Sequence, residues 1–475
     1  MEIVIAGAGI GGLTAALCLH TVGLRDVRVL EVVPQIRPMG AGVNLLPNAV
    51  RELAGLGLAE KLADLGADLT ELGYYNHLGQ EIWREPRGRA NGSRWPQLAL
   101  HRGALQTTLA DRVRDCLGED AIVTDARVTG FEQLVGGGVD VTVAHRLGER
   151  PTSVIRADVL VGADGLRSAV RRVLYPQEGE PRFNGTDVWR GITRTAPFRG
   201  GRSMVVMGDG HWKAVVYPVA VRPDDDGLVP VNWAVSRAAR EDAVPAAPAA
   251  GTSPQAPRDT GSGAGPDAGS GDGSGDGPGD GFPAAVAGWR CGDLRMDALV
   301  AGADAGASFP MLDRDPVPRW SFGAVTLLGD AAHAMAPMGS NATTQAVLDA
   351  RSLAHALATH DDPAEALAAY DRDRRPRMNR LQLINRAKGP EVVIDLVHER
   401  APEGFGGVES VLSTDRLAQI ADAYARAAGS DPESVNSASP YGPPARAPRR
   451  ETADVTVSDT PSATTHSSHP VSGET

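Results

Sequence analysis

The residues of this chain with the clearest chemical purpose are glycines and acids placed where apolar runs end. Gly7, Gly9 and Gly12 follow the run Ile3-Val4-Ile5, and Glu31 closes a second run, Val27-Arg28-Val29-Leu30. Strand, glycine turn, helix, strand and acid within about thirty residues form a dinucleotide-binding pattern. Gly7 permits the tight turn, Gly9 lets the backbone approach a pyrophosphate, and Gly12 lets the helix pack on the strand. The pyrophosphate would sit at the helix N-terminus, where the dipole alone favours an anion by about 0.3–1 kcal/mol. Glu31 would accept hydrogen bonds from ribose hydroxyls and repel a 2′-phosphate, which points to FAD or NAD rather than NADP.

Two later segments repeat the arrangement of buried strand, glycine and acid. Val159-Leu160-Val161-Gly162-Ala163-Asp164-Gly165 leads into Arg167-Ser168-Ala169-Val170-Arg171. An acid at the C-terminal end of a parallel strand faces the ligand crevice, which places Asp164 for function; the alternative is an N-cap for the helix that follows. Val325-Thr326-Leu327-Leu328-Gly329-Asp330 is followed by His333, then Pro337-Met338 and a helix start near Gly339, with Ser340, Asn341 and Ala342 after it. Asp330 would accept a bond from a sugar-alcohol hydroxyl. The helix start would aim N–H groups at a developing negative charge, as a reduced flavin requires at N1 and O2. A simple NAD dehydrogenase has no such need. His333, on the Gly-Asp-Ala-Ala-His turn, is read as a structural hydrogen-bonding residue rather than a base.

These segments demand an α/β fold. Strand and helix alternate near the N-terminus and after 320, predicting a Rossmann-type doubly wound domain, and the strand-rich middle predicts a second sheet. Helical periodicity covers 44–65 and 103–117, and strands are expected at 139–143, 157–162, 212–219 and 324–328. The expected organisation is residues 1–182 as the first part of the nucleotide domain, with about 74–100 contributing to the second domain. Residues 183–318 form that second domain, and 319–400 the remainder of the first. A Gly/Asp-rich insertion over 241–288 and a tail over 430–475 are expected to be disordered, since neither can bury a core.

Composition narrows the partners. The net charge is −12, but 241–288 alone carries seven acids against Arg258, which is half of it. The rest is mildly acidic, without the basic stripe that nucleic acid requires. Cys18, Cys116 and Cys291 are odd in number, with no spacing suited to zinc, so no metal is expected and a reducing cytoplasm fits best. Glu2 and the early glycines argue against a signal peptide, and no run approaches the roughly 20 apolar residues of a membrane span.

Taken together, the three segments resemble the group A flavin-dependent monooxygenases, the aromatic hydroxylases, and within them the phenazine-type hydroxylases. The likeness spans most of 1–400. It is carried also by Ile36-Arg37-Pro38-Met39-Gly40-Ala41-Gly42-Val43-Asn44, His101-Arg102-Gly103, Trp189-Arg190-Gly191, Tyr217-Pro218 with Asn232-Trp233, and Met311-Leu312-Asp313-Arg314-Asp315-Pro316. The resemblance implies that Gly7, Gly9, Gly12 and Glu31 hold the adenosine and pyrophosphate of FAD, Arg102 the phosphate or ribityl region, and Asp330 the ribityl chain. It places Asp164 in a motif shared by FAD and nicotinamide contacts. Gly42 and Val43 would lie beside the isoalloxazine ring, and Gly339, Ser340, Asn341 and Ala342 at its pyrimidine edge. Relatives often carry a second glycine where this chain has Ser340, Ala342 and Thr343, which predicts a stiffer loop.

By the same resemblance, NADH or NADPH reduces FAD as a transient donor, O2 forms a C4a-hydroperoxide, and one oxygen atom passes to an aromatic or heteroaromatic small molecule. The cofactor carries the hard chemistry, so the protein needs an apolar pocket and fixed dipoles more than a nucleophile. Tyr217, after an apolar strand and before Pro218, is a candidate substrate-facing residue; a core tyrosine fits as well. Arg190 would contact flavin or substrate, or form a surface ion pair. A flavin-dependent dehydrogenase that transfers no oxygen would share the nucleotide motifs. Monomer and homodimer are both compatible with the chain.

Overall fold

The computed structural model describes residues 1–145, 152–220, 222–238, 282–301 and 308–442. The N-terminal pattern folds as β1 (Ile3–Ala6), α1 (Ile10–Thr21) and β2 (Val27–Leu30). Helix α2 (Arg102–Leu117), strand β3 (Val159–Gly162), strand β4 (Val325–Leu327) and helices α3 (Ala342–Thr359) and α4 (Pro363–Arg386) complete the first body. Its six-stranded sheet runs Ser321–Phe322, β4, β3, β1, β2, Ile122–Val123. All pairings are parallel except the edge pair Ser321–Phe322 with β4. Parallel strands covered on both faces read as continuous apolar runs, and β1, β3 and β4 are fully buried. The C-terminal ends of β1, β3 and β4 bring the three glycine-acid segments to one edge.

A seven-stranded sheet forms the second body, in the order Phe309–Asp313, Arg182–Thr195, Val229–Ala238, Trp212–Pro218, Ser203–Gly208, Glu71–Asn76, Glu81–Pro86. Its strands place alternate side chains on opposite faces. The outer face buries Trp189, Val205, Val216, Trp233 and Val235 against Val286, Trp289 and Leu299. The inner face carries Leu72, Tyr74, Met204, Val206 and Tyr217, covered by α5 (Val392–Arg400) and α6 (Thr414–Ala428) through Val393, Val397 and Leu417.

The stretch read as helical over 44–65 is divided: Gly42–Leu45 is a strand, and helices Pro47–Gly55 and Ala59–Leu65 are separated by a turn at Gly57, whose φ is +80°. Two disorder expectations need narrower limits. Residues 282–288 of the insertion are ordered, because Val286 is fully buried in the outer core. Residues 430–442 are ordered too: Val435 is buried, and the Arg51 guanidinium donates to the carbonyls of Val435 (3.0 Å) and Ser437 (3.1 Å). The small polar residues there hide one apolar anchor and a set of backbone acceptors. Residues 239–281 and 443–475 lie outside the described residues. Among those described, no helix is long and apolar enough to cross a membrane.

Candidate flavin site

The glycine turn is closed on one side and open on the other. A Cβ on Gly12 would lie 2.0 Å from the Gly7 carbonyl oxygen, and one on Gly7 would lie 2.5 Å from that of Ala163. Gly7 has φ +101°, and its N–H donates to Leu30 at 2.7 Å. At Gly9, by contrast, a Cβ meets nothing within 4 Å. This is a bare cradle at the α1 N-terminus of the kind a pyrophosphate fills. The Glu31 carboxylate accepts from Ala8 N–H at 2.7 Å and Val33 N–H at 3.0 Å. It therefore holds the loop, while each oxygen keeps acceptor capacity for a ribose hydroxyl. From α2, the Gln106 amide donates to the Ala8 carbonyl at 2.8 Å.

Asp164 caps the helix after β3, as the sequence allowed. It accepts from Ser168 Oγ at 2.5 Å and from the Ala169 and Val170 N–H groups at 2.7 and 3.3 Å. Asp330 is exposed at the exit of β4, and its carboxylate has no hydrogen-bond partner among the described residues. The turn beneath it is heavily anchored. Arg171, 1% exposed, donates to the carbonyls of Ala331 (3.0 Å) and Ala332 (2.8 Å), tying the β3 segment to the β4 turn. His333 Nε2 lies 2.5 Å from Asp349 Oδ2, which also accepts from Gly329 N–H at 3.2 Å; Arg374 Nε donates to Asp349 Oδ1 at 2.8 Å. Burial opposes the Asp349 charge, but His333 and Arg374 together hold its pKa below the usual carboxylate value. His333 thus has a structural partner. Asp349 and Arg374 escaped the sequence reading, although an acid inside the run Ala346-Val347-Leu348-Asp349-Ala350 is the signal that marks such a group.

A second half of the site faces the first. The Gly42 N–H donates to Asn232 Oδ1 at 2.7 Å, and a Cβ on Gly42 would lie 2.8 Å from Tyr217, Asn232 and Val219. Gly42 pairs with His101, which sets Arg102 at the start of α2 beside it; there Gly103 is required, since a Cβ would lie 2.3 Å from Met39 N. Tyr217 is opposite Asn232 and Asn232 opposite Ile192, so Arg190, two residues earlier, shares their face of the sheet. Arg190 is exposed and lies over the Phe309 ring at 5.6 Å. Desolvation, then the neighbouring Arg102 cation, pulls its pKa down, with Tyr217 acting the other way. Burial pushes the Tyr217 hydroxyl above its ordinary value, and Arg190 offsets part of that. Gly42, Val43, Arg102, Arg190, Tyr217 and Asn232 are thus gathered in one place.

The loop from Pro337 joins the halves. Asn44 Nδ2 donates to Ser340 Oγ at 3.4 Å, and Leu46 N–H to Thr344 Oγ1 at 3.0 Å. Gly339 and Ser340 have φ +60° and +59°. Ser340 therefore adopts the left-handed conformation that glycine would hold more easily, at a cost of about 1–2 kcal/mol. The loop keeps a glycine-like shape with a side chain in place.

Residues 1–248 and 304–383 match the family described as FAD binding domain. The chain is 41% identical over 386 residues to the phenazine 1,6-dicarboxylic acid hydroxylase of Lysobacter antibioticus, covering 81% of this chain and 89% of that enzyme. It is 30% identical over 410 residues to the salicylate hydroxylase of Pseudomonas putida, covering 80% and 84%. Klebsiella pneumoniae HpxO, solved with FAD and uric acid, shares the fold with a TM-score of 0.64 at 22% identity, over 92% of this chain and 96% of that one. With a bare phosphate cradle, acids at three strand ends and a relative of this similarity over most of its length, the chain belongs to the FAD binding domain family and is a group A FAD-dependent aromatic monooxygenase, using NAD(P)H and O2.

Proposed function

We propose that this enzyme hydroxylates a fused-ring nitrogen heteroaromatic carboxylic acid of the phenazine type. The observation that carries the reading is Arg190, a guanidinium on the same face of the second sheet as Tyr217 and Asn232 with no carboxylate partner among the described residues. The 41% identity to an enzyme named for a phenazine dicarboxylic acid supports the same class. FAD held in this site would supply the redox chemistry, in which NAD(P)H provides two electrons, one atom of O2 enters the ring and the other leaves as water. In this reading Gly7, Gly9, Gly12, Glu31, Arg102 and Asp330 bind and orient FAD, Asp164 holds the strand end it caps, and Gly42 and Val43 line the isoalloxazine. Gly339, Ser340, Asn341 and Ala342 meet its pyrimidine edge. Arg190 fixes the substrate carboxylate, Tyr217 orients the ring, and the apolar side chains of Val206 and Val215 on the same face exclude water. The enzyme acts in the cytoplasm as a monomer or homodimer on a dissolved small molecule, a setting that unpaired Cys18, Cys116 and Cys291 support.

The test is NADH and NADPH oxidation by the purified yellow protein with phenazine carboxylates, carboxyl-free phenazine, hydroxyquinolines and phenolic acids, with peroxide assayed in parallel. Strong stimulation by a phenazine carboxylate with little peroxide is expected. Stimulation by phenolic acids alone, or by no member, overturns the substrate class. Arg190→Met is expected to raise KM for the carboxylate about tenfold or more, the size of a lost hydrogen bond to a charged group, and to leave KM for the carboxyl-free ring unchanged. Equal changes for both would remove Arg190 from carboxylate recognition.

A further inference from the structure

The loop at the proposed pyrimidine edge is held from behind by residues outside the span that matches the FAD binding domain family. Tyr424, on α6, is buried with its ring wedged against two glycine backbones. A Cβ on Gly339 would lie 2.3 Å from Tyr424 Cε1, and one on Gly389 would lie 3.1 Å from Cε2. Its hydroxyl donates toward the Met338 carbonyl at 2.8 Å and accepts from Asn341 Nδ2 at 2.9 Å, with Asn385 Oδ1 also at 2.9 Å. Asn385 Nδ2 in turn donates to the carbonyls of Ala336 (3.0 Å) and Met338 (3.3 Å). Glu391, itself paired with Lys213, accepts from Gly339 N–H at 3.4 Å. The carbonyls of Ala336 and Met338 and the N–H of Gly339 are thus taken up by Tyr424, Asn385 and Glu391. The first N–H groups of α3, beside them, are ones a helix leaves without internal partners.

We propose that Tyr424 is a positioning residue for the flavin: through Met338 and Asn341 it fixes the Gly339–Ser340 left-handed turn and so aims the N–H groups at the start of α3 toward the pyrimidine edge. The inference rests on the reading that this loop meets that edge. Negative charge gathers there when the ring is reduced, and preorganised N–H donors stabilise it only if the turn does not relax. Tyr424 touches neither flavin nor substrate in this scheme. Its contribution is the orientation of groups that do.

The test is the two-electron reduction potential of the flavin in the intact holoenzyme. Tyr424→Phe keeps the ring between the glycines and removes the hydroxyl. It is expected to weaken binding of reduced relative to oxidised FAD about tenfold, which is a shift of about 30 mV to more negative potential. A changed flavin absorbance spectrum and more peroxide per NADH should accompany it. If that variant releases its flavin, Asn385→Leu, which removes the second anchor of Met338, is measured instead and should shift the potential the same way. An unchanged potential and spectrum in the variant overturns the role of Tyr424, with the FAD site left standing. A parent protein that binds no FAD would overturn the site reading itself.

Discussion

Gly9→Ala is expected to fold as well as the parent and to lose FAD. Gly9 has φ −70° and ψ 175°, which any residue adopts, and a Cβ there meets no protein atom within 4 Å. The apo unfolding midpoint should therefore stay where it is. The added methyl would occupy the space at the α1 N-terminus where a pyrophosphate must approach the backbone. A clash of that kind, worth about 2–3 kcal/mol on the scale of overpacking, weakens binding about 30- to 150-fold. Gly12→Ala should behave in the opposite way. Its Cβ would lie 2.0 Å from the Gly7 carbonyl oxygen, so α1 must move off β1 whether or not FAD is present. That variant should show a lowered apo midpoint and poor recovery. Flavin affinity by fluorescence titration and apo unfolding in urea separate the two cases. Wild-type affinity in Gly9→Ala would mean that the phosphates do not lie on this turn.

The contrast explains why the geometry of this turn was legible from sequence. The packing of Gly7 and Gly12, the open space at Gly9 and the bond from Ala8 to Glu31 are local, and local geometry is written in spacing. The same holds for Asp164 and Asp330, where a buried strand ends on an acid. Tyr217, Arg190 and Gly42 are different. They meet only because a strand near residue 42 reaches a sheet built from residues near 190, 217 and 232, and no periodicity along the chain encodes that approach. Tyr424 is harder still, since it sits on an amphipathic helix among residues that look like ordinary core. Only the loss of Cβ atoms at Gly339 and Gly389 records its presence. The ordered stretch at 430–442 was hidden for another reason. It is held by one apolar side chain, Val435, and by Arg51, which clasps backbone 383 to 386 residues away in sequence.

Asp349→Asn is expected to be among the most destabilising conservative substitutions in the chain. Asp349 and His333 are fully buried, Arg374 is 2% exposed, and Asp349 is the acid between them. Asparagine preserves the size of the side chain and removes the charge, which leaves the Arg374 cation in the interior with its main counter-charge gone. Breaking a buried pair in this way costs about 3–5 kcal/mol. The loss should appear as a lower apo unfolding midpoint, and flavin retention should fall with it, because the Gly329 N–H at the base of the Asp330 turn bonds the same carboxylate. The pH dependence identifies the group. A carboxylate held below its ordinary value binds fewer protons in the folded than in the unfolded chain near pH 4. Its stabilisation is complete above the unfolded value of about 3.9 and is lost as pH falls through the lower folded value. The stability gap between parent and variant should therefore be constant across neutral pH and narrow only below about pH 4. A gap that closed near neutral pH would place the linked proton on another group and remove Asp349 as the charge that holds Arg374. A gap under about 1 kcal/mol would mean that Gln345, whose side-chain oxygen lies 2.8 Å from Arg374 Nη2, suffices to compensate the cation.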